Sequence, residues 1–134
     1  MIVRCIFNTG EQIGLLEHGL HFGDQTRFEV KVGTKYPVYG MSMFNRGLTA
    51  LIRGETERPN WYPIELFEVV DGGLPAKWRF ATRDEGESWT QAIWGYPELV
   101  DDPGHADALI EREVEALTVF AAQVGARHEE FRGE

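Results

Sequence analysis

Residues 28–39, Phe28-Glu29-Val30-Lys31-Val32-Gly33-Thr34-Lys35-Tyr36-Pro37-Val38-Tyr39, decide the fold class. Phe28, Val30 and Val32 alternate with Glu29 and Lys31, the period of two that gathers apolar side chains on one face of a strand. Gly33-Thr34 closes that run. Tyr36–Tyr39 resumes an extended segment, in which Pro37 belongs at a sheet edge or a bulge. Working outward, Ile2–Asn8 is rich in β-branched and aromatic types and stops at Asn8-Thr9-Gly10, so it reads as a strand. Glu11–Asp24 reads as a glycine-containing loop or one short helical turn. Leu48–Arg53 and Glu65–Val70 are two further strands, with Pro59-Asn60-Trp61-Tyr62-Pro63 forcing a turn between them. Asp71-Gly72-Gly73 is a turn signal. Lys77–Thr82 alternates Trp78, Phe80 and Thr82 against Lys77, Arg79 and Ala81, which predicts one more strand with at least one of Trp78 and Phe80 buried. Short strands joined by Gly and Pro turns favour a small barrel or bent antiparallel sheet over βαβ units.

The C-terminal part has a different period. Asp102 can cap a helix, Pro103 suits its first position, and Gly125 can end it. Ala106, Leu109, Ile110, Val114, Leu117, Phe120, Ala121 and Val124 fall on one stripe at 100° per residue, so a helix is predicted over about 103–124. Glu113 lies inside that stripe. A carboxylate taken from water there needs a donor, which predicts a specific partner for Glu113.

Charge separates the same two parts. The chain carries 22 Asp and Glu against 13 Lys and Arg over 134 residues, a net charge of −9. Most of it sits in residues 98–134, where 10 carboxylates face 3 arginines. Such a balance argues against sequence-independent binding of nucleic acid, which rests on cations neutralising phosphates. One cysteine, Cys5, excludes an internal disulfide framework and a multi-cysteine zinc site. Without a membrane-length apolar run or a signal-peptide pattern, the expected compartment is the cytoplasm and no membrane partner is expected.

The stretch Phe28-x-Val30-x-Val32-Gly33-x-x-Tyr36-x-Val38, followed by Trp61-Tyr62-Pro63-x-x-Leu66-Phe67-Glu68-Val69, resembles small, mostly uncharacterised bacterial proteins with an SH3-like β-barrel, some of them immunity-type proteins of toxin systems. The resemblance covers roughly residues 1–83 and is carried by structural positions. It implies a mainly β fold for that stretch, a small, partly open, antiparallel SH3-like barrel. The C-terminal α-helix, which has no place in a minimal barrel, is a departure from the resemblance and is expected to pack on the barrel. The expected single domain then divides into a β module at 1–83, an irregular aromatic segment at 84–102, a helix at 103–124 and a tail at 125–134.

Few residues point to chemistry. His18, His21 and Asp24 are the right ligand types for a metal, but the flexible spacing and the lack of a second cluster favour ordinary loop residues, so no metal and no cofactor are expected. Cys5 between apolar neighbours reads as core packing. No nucleophile elbow, phosphate cradle or metalloprotease helix is present. Trp61, Tyr62, Trp89 and Trp94 form a candidate ligand or peptide surface. Asp107, Glu111 and Glu115 recur at i, i+4, three like charges on one helical face that cost a few tenths of a kcal/mol per pair and suit a positive partner. The leading expectation is therefore a non-catalytic protein-binding module, an immunity-type inhibitor covering the basic surface of a partner through Asp107, Glu111 and Glu115. A small-ligand-binding protein or enzyme using the carboxylates and aromatics around Trp61 and Glu65 is the alternative. A homodimer formed through exposed aromatics is the third reading.

Overall fold

The computed structural model describes residues 1–13, 26–44, 47–56, 58–83 and 90–132. The fold is mainly β, with two antiparallel sheets and a helical C-terminal part. One sheet has three strands in the order β2-β1-β6: β1 Ile2–Cys5, β2 Lys35–Pro37 and β6 Phe67–Asp71. The other has five in the order β5-β4-β3-β8-β7: β3 Gly40–Phe44, β4 Gly47–Ile52, β5 Asn60–Pro63, β7 Arg79–Thr82 and β8 Thr90–Gly95. These sheets are not closed into a barrel. A single turn, α1 Gly10–Ile13, follows β1.

Register explains how the layers stack. Successive side chains of a strand point to opposite faces. Phe80, Trp94, Met41, Ala50 and Tyr62 are aligned across the five strands, and the adjacent row holds Leu51 and Trp61. Ala50, Ile52 and Tyr62 pack with Val3, Cys5, Tyr36 and Phe67 in a core between the two sheets. Leu51 and Ile93, on the reverse face, pack with Leu99, Val100, Leu109, Ala116 and Phe120 of the helices. The larger sheet is thus the middle of three layers.

The helical layer is built from α2 Pro97–Asp101, α3 His105–Ile110 and α4 Val114–Arg132. Gly40 and Gly95 are register partners on β3 and β8, and the Leu99 side chain of α2 lies over both. A Cβ at Gly95 would stand 2.6 Å from Leu99 Cδ2 and 3.1 Å from the Tyr39 carbonyl oxygen. Glycine at this pair lets the helix rest directly on the sheet. No helix among the described residues is long and apolar enough to cross a membrane.

Several expectations are corrected. Residues 28–32 form no strand: Phe28 and Val30 are buried as the alternation predicts, but Val32 is 51% exposed. The segment instead meets β1 and the residues after it at isolated hydrogen bonds, Gly33 N to Cys5 O at 2.8 Å and Phe28 N to Asn8 O at 2.8 Å. Its Lys31–Thr34 turn, closed by a 3.0 Å bond, has Gly33 at φ 89°, as a type II turn requires. The turn expected at residues 59–63 is mostly strand β5, whose Pro63 is accommodated because β5 is a sheet edge. Residues 84–102, expected to be irregular, include β8 and α2. Trp78, ahead of β7, is half-buried against the core between the sheets, while Phe80 is 55% exposed and Ala81 packs toward the helices. The helix expected at 103–124 is two helices, and the second runs through Gly125 to Arg132, into the expected tail. Pro37 does lie in an edge strand, β2.

Candidate functional site

The break between α3 and α4 shapes the most exposed part of the helical layer. Glu113 N donates to Ala108 O at 3.0 Å and Arg112 N donates to Leu109 O at 3.1 Å. That pair of bonds is a Schellman motif, with Arg112 in the left-handed position at φ 61°, where glycine is usual. A non-glycine residue there costs roughly 1–2 kcal/mol and persists only where its surroundings over-determine it. The surroundings are visible. The Arg112 guanidinium donates to the carbonyl of buried Pro59, to Asn60 Oδ1 at 2.7 Å and to Leu109 O at 3.3 Å. It fastens the corner to the start of β5.

Turning the chain at Arg112 changes the phase of the apolar stripe. Leu109, Ala116 and Phe120 stay buried, and Phe120 meets Tyr39 edge-on at 5.1 Å. Ile110 and Val114, expected on the same stripe, are 61% and 78% exposed. Asp107, Glu111, Glu113 and Glu115 are exposed around them. Asp107 lies in α3, Glu111 caps it and Glu115 lies in α4, so the predicted row does not occupy one helical face. Its members lie in the stretch 107–115 that spans the α3–α4 break, which also carries the exposed Ile110 and Val114. Glu113 is a correction: it is exposed and makes no side-chain hydrogen bond among the described residues, and its neighbour Arg112 fixes helix to sheet instead. Arg112 is the cation of residues 107–115, and it is turned inward.

Behind the corner lies a buried polar pair. Tyr96 Oη and His105 Nε2 are 2.6 Å apart, both residues being buried. Burial pushes the His105 imidazole below its ordinary value, against the pull of Asp102 and Glu98, and pushes the Tyr96 phenol up.

Among the described residues, the candidate aromatic surface is divided between the two faces of the larger sheet. Trp61 and Tyr62 are consecutive on β5 and face opposite layers, Tyr62 in the core between the sheets and Trp61 half-buried against the helical core. Trp94 is half-buried beside Phe80 at 5.0 Å, and two strands, β3 and β4, separate its strand β8 from β5, which carries Trp61. Trp89 and the group His18, His21 and Asp24 lie outside the described residues. Glu65 is half-buried, while Glu68 is exposed and pairs with Arg4 at 2.8 Å, so these two acids share no site. Cys5 is buried; burial pushes its thiol up, and its Sγ lies 3.2 Å from Phe7 O. A thiol held in that state is not a poised nucleophile.

Sequence reasoning found Asp107, Glu111 and Glu115 from their spacing. It missed Ile110, Val114 and Arg112, because Glu111-Arg112-Glu113 carries no glycine or proline to announce a break. Comparison with protein-family models, curated proteins and solved structures finds no match for this chain.

Proposed function

We propose that the chain is a non-catalytic protein-binding module that engages a basic partner through the α3–α4 corner. The observation that carries this reading is the exposure of Ile110 and Val114, 61% and 78%, in a stretch that also exposes the four carboxylates Asp107, Glu111, Glu113 and Glu115. An apolar centre with a charged rim is the anatomy of a protein interface, and Val114 is the most exposed of the large hydrophobics among the described residues, with Ile110 next. These carboxylates select a partner with a positive surface, steering encounter and excluding acidic surfaces. The rigid anchoring of the corner by Arg112 lowers the entropy lost on binding.

The resemblance of residues 28–38 and 61–69 to small bacterial SH3-like proteins supports the narrower reading, an immunity-type inhibitor acting in the cytoplasm. The positive groove of a nuclease is a partner surface of the right chemistry. The test is capture of binding proteins from the native host, followed by reconstitution with the purified captured protein. A basic partner whose affinity falls at least about tenfold with Ile110→Ala/Val114→Ala, and again with Asp107→Asn/Glu111→Gln/Glu115→Gln, supports the assignment. Unchanged affinity for both variants overturns it.

A further inference from the structure

On another flank of α4, a cleft of about 910 Å³ opens between that helix and the ends of β2 and β4. Its volume is in the range of small-molecule sites. The walls are apolar, formed by Pro37, Tyr39, Ile52, Leu117, Phe120 and Val124. Small residues keep it open on the helix side: a Cβ at Gly125 would meet nothing within 4 Å, and Ala121 stands one turn earlier.

Its charge is the reverse of the molecule's. Lys35, Arg53 and Arg58 line the cleft, all exposed, and among the described residues no Asp or Glu lines it. None of the three cations makes an ion pair or a side-chain hydrogen bond among the described residues. Glu55, next to Gly54, is committed elsewhere and accepts from the Tyr36 hydroxyl at 2.9 Å. In a chain of net charge −9, three uncommitted cations at the mouth of an apolar hollow match an anion that carries an apolar body. Two residues beyond Arg53, Glu55 N donates to Glu29 O at 3.0 Å.

We propose that this cleft binds a single-chain amphipathic carboxylate of the medium-chain fatty-acid type. The alkyl chain lies along the Tyr39–Phe120 pair, and the carboxylate is held by Arg53 and Arg58, whose planar forks match its two oxygens. Lys35 adds positive charge from β2. This site is separate from the α3–α4 corner and stands whether or not that corner binds protein.

Calorimetric titration of the intact protein with decanoate tests the proposal, with decanol and decyltrimethylammonium as probes of the same chain length, all below micelle-forming concentrations. Saturable one-to-one binding of decanoate is expected, at least about tenfold tighter than either control. Arg53→Gln/Arg58→Gln, at exposed positions, is expected to weaken decanoate by about tenfold or more, and Ala121→Phe to weaken it by filling the hollow. Absence of saturable decanoate binding overturns the proposal, as does equal binding of all three amphiphiles. So does wild-type affinity in an Arg53→Gln/Arg58→Gln protein whose circular dichroism and melting are unchanged.

Discussion

At residue scale, Arg112 combines an unfavourable backbone conformation with hydrogen bonds that reach from the helices to β5. Removing the guanidinium leaves the Pro59 carbonyl and Asn60 without their donor, and hydrogen bonds from a charged group are worth about 1.5–3 kcal/mol. Arg112→Ala is therefore expected to destabilise the fold by about that amount in denaturant unfolding. Arg112→Gly loses the same bonds but relieves the left-handed strain, so it should be roughly 1 kcal/mol less damaging than Ala. Equal stabilities of the two variants would show that the strain is absent. His105 gives a second prediction. Its folded pKa lies below the unfolded value, so the unfolded chain binds the proton first as pH falls. The stability from keeping it neutral is fully present above the unfolded imidazole value of about 6.5 and is lost as pH falls through the depressed folded value. Melting followed between pH 7.5 and 5.5 should show that decline, and His105→Gln, which does not titrate, should flatten it. An unchanged slope in that variant would assign the decline to other groups.

At the scale of elements, the sequence was readable where one face of a strand is apolar and the other polar. β1, β6 and β7 were visible on that basis and β4 from its apolar run, each to within two residues at its ends except β1, expected to reach Asn8 and ending at Cys5. β3 was not, because its buried positions are Gly40 and Ser42, with Ser42 Oγ 2.6 Å from Thr49 Oγ1, while its half-buried positions are Met41 and Met43. β8, like β4, lies inside the middle sheet without a polar face to set a period, and its opening Thr90-Gln91-Ala92 lacks the apolar run that made β4 visible. The helix break was missed because an arginine occupies a position that sequence patterns reserve for glycine. Gly95 offers a direct check on the packing of α2. Gly95→Ala drives a methyl toward Leu99 and the Tyr39 carbonyl, and overpacking of this kind costs roughly 1–3 kcal/mol. A thermal melt matching the wild type would show that α2 does not sit on the Gly40–Gly95 pair.

On the scale of the whole molecule, charge and exposure divide the surface into regions of different chemistry. The α3–α4 corner joins exposed Ile110 and Val114 to four carboxylates, whereas the cleft beside α4 gathers Lys35, Arg53 and Arg58. The acidic spacing was legible in the sequence, but the apolar centre that makes it an interface depends on where the chain turns. The spacing alone placed Ile110 and Val114 in the core.

The claim that this corner is the binding surface is tested most directly by the association rate of the reconstituted complex as a function of salt. Exposed carboxylates that steer a basic partner accelerate encounter at low ionic strength and lose that effect as screening increases. The wild-type rate should fall steeply with added salt. Asp107→Asn/Glu111→Gln/Glu115→Gln should associate about tenfold more slowly at low salt, with a nearly flat dependence. The same rate and the same salt slope in both proteins would place the interface elsewhere.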